Sequence, residues 1–161
     1  YWSGISVRPE ALTEKPIRRI LTAGTVDPRK GAHYLFEAFE KCVREKRIPD
    51  DVVLTIVGFL PYYTEFGYDL IAKIFASGLQ DRVELYGITQ KHELDAIYDN
   101  ADLYVQASIM ECMPLALLTA MSRGMPVITT DVDGCLEAIP DESCGWICKP
   151  RHVESLANAL T

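Results

Sequence analysis

The sequence predicts an α/β fold built on a parallel sheet of about six strands, with helices on both faces. Three observations carry this reading. Short runs rich in β-branched and aromatic residues alternate with helical patterns along the chain. One run, Val52 to Val57, is apolar almost without a break, as expected of a strand covered on both sides. Most connections are short, so successive elements pack as neighbours, and right-handed crossovers set the winding.

Taken in order, Ile20-Leu21-Thr22-Ala23 is the first expected strand, ended by Gly24. Leu35, Phe36, Phe39, Cys42 and Val43 then fall on one helical face. Val52 to Val57 is the second strand, ended by Gly58, and Phe66, Leu70 and Ile74 mark the second helix. Val83 to Tyr86 is the third strand, ended by Gly87. Leu94, Ile97 and Tyr98 mark the third helix, with Thr89 placed to cap its start. Leu103-Tyr104-Val105 is the fourth strand. Leu115, Leu118 and Met121 mark a fourth helix that begins at Pro114 as first helical residue and stops at Gly124 before Pro126. Val127-Ile128-Thr129 and Trp146-Ile147-Cys148 are the last two strands, and Val153, Leu156 and Leu160 mark the last helix. Residues 1–16 read as a lead-in segment outside the sheet.

A chain of 161 residues, 48% of them hydrophobic, fits one domain with its own core. The formal net charge of -7 argues against a nucleic-acid partner, which requires a cationic face, but not against one local pocket for a phosphate. No apolar run approaches the ~18 residues of a transmembrane helix. The opening Tyr1-Trp2-Ser3-Gly4 reads as mid-protein sequence, so the chain is expected to be an excised piece. Cys42, Cys112, Cys135, Cys144 and Cys148 are an odd set at irregular spacing, which suggests reduced, cytosolic thiols. Cys144 and Cys148 lack the further Cys or His of a zinc set, and Asp131-Val132-Asp133 reads as a polar turn rather than a cation site. No metal is expected. His33, His92 and His152 read as surface residues near helix starts.

In parallel sheets ligands bind at the carboxyl ends of the strands. Gly24, Gly58 and Gly87 all end strands on that edge. Each permits a tight turn or the close approach of backbone to a ligand. Neither a Gly-x-Gly-x-x-Gly nor a Walker A loop follows the first strand. Instead Gly24-Thr25-Val26-Asp27-Pro28-Arg29-Lys30-Gly31 opens a helix. Lys30 there joins free backbone N–H groups in favouring an anion such as phosphate, or is a solvated loop lysine. The second candidate is Ser108-Ile109-Met110-Glu111-Cys112-Met113-Pro114-Leu115. Glu111 can accept from sugar hydroxyls, and the amides of Met113 to Ala116 can hold a phosphate. Glu111 also suits a helix start as an acid facing the dipole.

Taken together and in order, these segments resemble the donor-binding, C-terminal domain of the family four retaining glycosyltransferases, which have the GT-B fold. Ser3-Gly4-Ile5-Ser6 is similar to the family's entry segment. Ile20 to Gly31 is similar to its strand and Lys-Gly signature, Leu54 to Pro61 to its Gly-x-Gly-Pro turn, and Leu94 to Val105 to its Ala-Asp strand. Glu111 to Val127 matches its most recognisable block, and Gly134 to Glu137 and Gly145 to Pro150 follow as expected.

The resemblance implies a Rossmann-like domain that binds a nucleoside diphosphate sugar, UDP- or GDP-linked, for a hexosyltransferase of polysaccharide or glycoconjugate synthesis. Gly24, Thr25 and Gly58 would line the diphosphate end, with Lys30 and the backbone around Met113, Pro114 and Leu115 on the phosphates. Glu111 would orient the sugar, Thr119 would lie near the ribose and Ile88 near the base. Lys30 and Glu111 are the residues expected to serve catalysis. The acceptor would belong to a missing N-terminal domain, so the isolated chain is expected to be inactive. Membrane contact, if any, would be peripheral and through that half.

Two positions depart from the family. Thr25 stands where an Arg points at the diphosphate, and Thr119 stands at the second Glu of Glu-x7-Glu, which holds the ribose. Losing two charge-assisted hydrogen bonds costs roughly 3–6 kcal/mol, or two to four orders of magnitude in affinity. These departures keep open a non-catalytic, regulatory relative. A nucleotide-sugar epimerase or phosphorylase of the same fold is the other alternative.

Overall fold

In the computed structural model, residues 16–139 and 145–161 are described. The Ser3 to Ser6 segment, all but the last residue of the lead-in, and Cys144 lie outside the described residues. Strands β1 (Arg19–Ala23), β2 (Val53–Val57), β3 (Val83–Tyr86), β4 (Leu103–Gln106), β5 (Val127–Thr130) and β6 (Trp146–Cys148) form one sheet. All neighbours are parallel, in the order β3-β2-β1-β4-β5-β6. The predicted α/β, Rossmann-like class is the observed one.

The helices are α1 (Ala32–Arg44), α2 (Glu65–Ala76), α3 (Lys91–Asn100), α4 (Leu115–Ser122), α5 (Asp133–Ala138) and α6 (Val153–Ala159). Strand alternation sorts the core into two layers. Ile20, Leu54, Ile56 and Val105 pack with α1, α2 and α6. Leu21, Val57, Tyr104 and Val127 pack with α3, α4 and α5. Leu35, Phe36, Phe39 and Cys42 of α1 are completely buried, and burying each larger side chain contributes about 1.5–3 kcal/mol.

Strand order reverses between β1 and β4, so the connections leaving their carboxyl ends pass to opposite faces of the sheet and leave a crevice. At the opposite edge the Asp102 carboxylate accepts from the Arg18 and Arg19 N–H groups, both at 2.9 Å, and sets the start of β1 against β4.

Local chemistry corrects four expectations. Gln90, not Thr89, caps α3, because Glu93 reaches back to the Gln90 N–H at 2.8 Å. Pro114 precedes α4 rather than opening it: its ψ of 68° is not helical, and Leu115 is the first helical residue. The unpredicted helix α5 is six residues long, too short to show a stripe, and Asp133 opens it. His33 is half-buried rather than fully exposed at the surface. It is packed at 4.1 Å from Tyr34 and 5.1 Å, edge-on, from Phe66, and its Nδ1 is buried. Burial lowers its pKa, the Glu37 charge opposes that shift, and Lys73 adds to it. His92 and His152 are exposed, and His152 Nδ1 accepts from the Ser155 N–H to cap α6.

Candidate functional site

Two loops meet over the β1–β4 crevice. The first leaves β1 at Gly24, whose φ of 140° requires glycine and whose Cβ position faces open space. The β2 loop supports it from beside: a Cβ on Gly58 would lie 2.0 Å from the Gly24 carbonyl oxygen, and Val26 N–H donates to the Phe59 carbonyl at 2.8 Å. Asp27 then caps a single 3-10 turn, Pro28–Lys30, by accepting from the Arg29 N–H at 2.8 Å. Gly31, with φ 69°, turns the chain into α1. A Cβ on Gly31 would lie 1.8 Å from the Ala107 carbonyl oxygen, so this start is pressed onto the end of β4. Lys30 therefore ends its own turn just ahead of α1 rather than standing within that helix.

The second loop runs from β4 to α4. Ile109 N–H donates to the Arg29 carbonyl at 2.7 Å, and Gly134 N–H donates to the Glu111 carbonyl at 3.1 Å. Gly134 permits that contact, since a Cβ there would sit 2.4 Å from the Cys112 carbonyl oxygen. The loop is thus held from both flanks.

These anchors bring Lys30 and Glu111 together. Lys30 Nζ donates to Glu111 Oε2 at 2.6 Å, with side-chain exposures of 31% and 8%. The sequence reading gave them separate duties and did not foresee an ion pair. Beneath Glu111 lies a polar chain that it also missed. Tyr104 hydroxyl donates to Gln106 Oε1 at 2.7 Å, and Gln106 Nε2 donates to Ser108 Oγ at 2.6 Å. Gln106 Nε2 and Ser108 Oγ both reach Glu111 Oε2 at 3.4 Å. The available signal was Gln106 itself, a polar residue closing an otherwise apolar strand. Burial raises the Tyr104 hydroxyl well above its ordinary pKa, so it remains a protonated donor.

Gly24, Thr25 and Lys30 line a small cavity of about 10 Å³ with Thr22 and Gln106, room for about one water, so any larger ligand lies over its mouth. Among the described residues, none of the other sequence candidates makes a side-chain hydrogen bond or ion pair with Lys30. Ile88, Met113 and Leu115 are exposed, and Pro114 is buried. The Leu115 N–H is already committed to the Met113 carbonyl at 3.0 Å, which removes it from the phosphate donors expected here. Thr119 lies on α4 with its hydroxyl donating to the Leu115 carbonyl at 2.8 Å.

A larger cavity of about 360 Å³ lies elsewhere, against one face of β1 to β3 and beside α3. Its polar groups satisfy one another: Glu84 accepts from Thr55 at 2.9 Å and from Arg19 at 3.4 Å. It offers no group comparable to the Lys30–Glu111 pair. Among the described residues no group of three or more His, Cys, Asp or Glu is placed to hold a metal. No helix among them is long and apolar enough to cross a membrane.

The family description "Glycosyl transferases group 1" matches residues 7–161. A putative colanic acid biosynthesis glycosyltransferase of Escherichia coli K12 is 29% identical, over 96% of this chain and 38% of its own length. An Escherichia coli UDP-Gal:alpha-D-GlcNAc-diphosphoundecaprenol alpha-1,3-galactosyltransferase is 29% identical, over 85% of this chain and 34% of its own. The chain thus spans well under half of the curated relatives it matches. The crystal structure of Anabaena HepE with UDP and glucose superposes with a TM-score of 0.77, at 24% identity, over 96% of this chain and 40% of that one. That likeness establishes the shared GT-B fold.

Proposed function

The chain belongs to the group 1 glycosyl transferases, and from that premise we propose that it is the donor-binding domain of a retaining hexosyltransferase. The donor is a nucleoside diphosphate sugar, with UDP first among the bases because one relative is named for UDP-Gal and a solved neighbour holds UDP and glucose. The observation that carries the reading is the meeting of Lys30 and Glu111 at the mouth of the β1–β4 crevice. Charge grows on the diphosphate as the glycosyl bond breaks, and fixed donors there stabilise it. Lys30 supplies a mobile positive charge. Gly24 lets the diphosphate approach the backbone. Glu111 accepts from the sugar hydroxyls. Thr119 and Ile88 flank the ribose and the base.

The acceptor lies on a part of the parent protein outside this chain, so the chain alone transfers nothing; turnover by purified 1–161 would refute this. The experiment for the donor site is thermal unfolding with millimolar UDP, GDP or ADP. A nucleotide at one hundred times its Kd adds ~2.7 kcal/mol, a shift of several degrees. One nucleotide should raise the midpoint, and Lys30→Ala should abolish the rise.

The second reading, a non-catalytic relative, is favoured by Thr25 and Thr119. It gains if no nucleotide shifts the midpoint, even in a Thr25→Arg, Thr119→Glu double variant.

A further inference from the structure

Three donors converge on one oxygen of Glu111. Lys30 Nζ at 2.6 Å, Gln106 Nε2 at 3.4 Å and Ser108 Oγ at 3.4 Å all address Oε2. Among the described residues none donates to Oε1. The carboxylate is therefore divided between one oxygen tied to the protein and one left for a ligand.

The Lys30 tie is the least durable of the three. A diphosphate in the crevice competes for the same ammonium, because both are anions within reach of a flexible point charge. Once Lys30 turns to the phosphate, only Gln106 and Ser108 still hold Oε2. Both are buried, Gln106 at 4% exposure and Ser108 at 0%. A buried amide is costly unless its hydrogen bonds are made, and here both ends are satisfied. Tyr104 donates to Oε1 of Gln106, which leaves the NH₂ end toward Ser108 and Glu111. The opposite orientation would set an amide oxygen against the carboxylate. Ser108 is fixed in turn by Thr130, whose hydroxyl donates to the Ser108 carbonyl.

We propose that Gln106 is a positioning residue: anchored by Tyr104, it holds Ser108 and Oε2 of Glu111 so that Oε1 meets a hydroxyl of the donor sugar after Lys30 has moved to the diphosphate. This rests on the donor-site reading above and assigns that site a part that the base and phosphates do not sense.

The test separates sugar recognition from nucleotide recognition. Calorimetric titrations compare UDP with UDP-glucose and UDP-galactose, and GDP with GDP-mannose. The readout is the Kd of the bare nucleotide divided by that of its sugar conjugate. Glu111→Gln should lower this ratio, and Gln106→Met, which keeps the volume without the hydrogen bonds, should lower it about five- to twentyfold. UDP or GDP affinity itself should stay within about twofold in Gln106→Met, and should not fall in Glu111→Gln, where no carboxylate competes for Lys30. In a Glu111→Gln background, Gln106→Met should change the ratio by less than about twofold, because the two act as one unit.

An unchanged ratio in folded Gln106→Met, with Glu111→Gln still effective, overturns the proposal alone. Equal weakening of nucleotide and conjugate marks a structural role and also overturns it. If the unaltered protein binds none of the five probes, the donor-site reading falls and this inference with it. Should Gln106→Met not fold, Ser108→Ala reads the same relay from its other end and must lower the ratio.

Discussion

Lys30 and Glu111 stand 81 positions apart in sequence, and their side chains meet at 2.6 Å. The pair bridges the first and fourth strand-to-helix loops at the one place where strand order reverses. Glu111 is almost fully enclosed while Lys30 remains partly open, so the carboxylate depends on the ammonium more than the reverse. Lys30→Met should destabilise the fold by about 1–3 kcal/mol, below the value for a wholly buried pair because water reaches the lysine. Adding Glu111→Gln should recover most of that loss, since no buried charge is then left alone. Urea unfolding of the wild type, Lys30→Met and the double variant checks this, and a double variant no more stable than Lys30→Met would contradict it.

The two family departures predict gains. Thr25 lines the mouth of the small cavity, and the Thr119 hydroxyl is turned back onto its own helix. Thr25→Arg and Thr119→Glu each introduce a charged partner for the diphosphate and the ribose respectively. Each should tighten UDP or GDP binding by about ten- to a hundredfold, measured by titration calorimetry. No gain in either would mean that the nucleotide lies elsewhere.

The strand-end glycines should not be equivalent. Gly58 has φ 135° and its Cβ would strike the Gly24 carbonyl, whereas a Cβ on Gly87 meets nothing and needs no left-handed backbone. Gly58→Ala should cost about 2–4 kcal/mol from strain and overlap together. Gly87→Ala should stay within about 0.5 kcal/mol of neutral. Denaturant midpoints decide the contrast.

Among the described cysteines only Cys112 is exposed. Burial pushes the Cys42, Cys135 and Cys148 thiols up, which keeps them protonated and unreactive. Iodoacetamide on the native protein should label Cys112 and spare those three until denaturant is added. A nucleotide sugar should slow the Cys112 reaction, because that residue adjoins Glu111. Mass spectrometry of the peptides reads both effects.

The half-buried imidazole of His33 gives a pH signature. Its pKa is lowered by burial from an ordinary 6.5, so the fold favours the neutral ring. That contribution is complete above the unfolded value and is lost as pH falls through the lowered folded one. Between about pH 7 and about pH 5 the wild type should therefore lose more stability than His33→Phe, in which the surrounding carboxylates are unchanged.

The four inner strands were legible because each is a short run whose buried faces leave few polar positions, and the more exposed edge strands β3 and β6 because apolar residues still dominate them. Their edges moved by a single residue at most: Arg19 and Gln106 join β1 and β4 through pairing that no local pattern announces. Helix starts were less legible, because caps depend on which side chain reaches back. Glu93 decides for Gln90 over Thr89. Helix α5 has no periodic stripe, and its place is set by Gly134 packing under the Cys112 carbonyl. At the site, Lys30 and Glu111 could be named singly, since each is a charged residue in a loop on the carboxyl edge. Their pairing could not, because it rests on Gly31 meeting Ala107 and Arg29 meeting Ile109, contacts that only the folded sheet makes.

The most direct measurement of the donor-site claim is which amides of nitrogen-15-labelled protein shift in NMR spectra when UDP is added. The account predicts the largest changes at Gly24, Thr25 and Gly31 and around Glu111, with the Lys30→Ala variant silent at the same concentration. Changes centred instead on Arg19, Glu84 and Asn100, around the larger cavity, or changes that persist in full without Lys30, would contradict it.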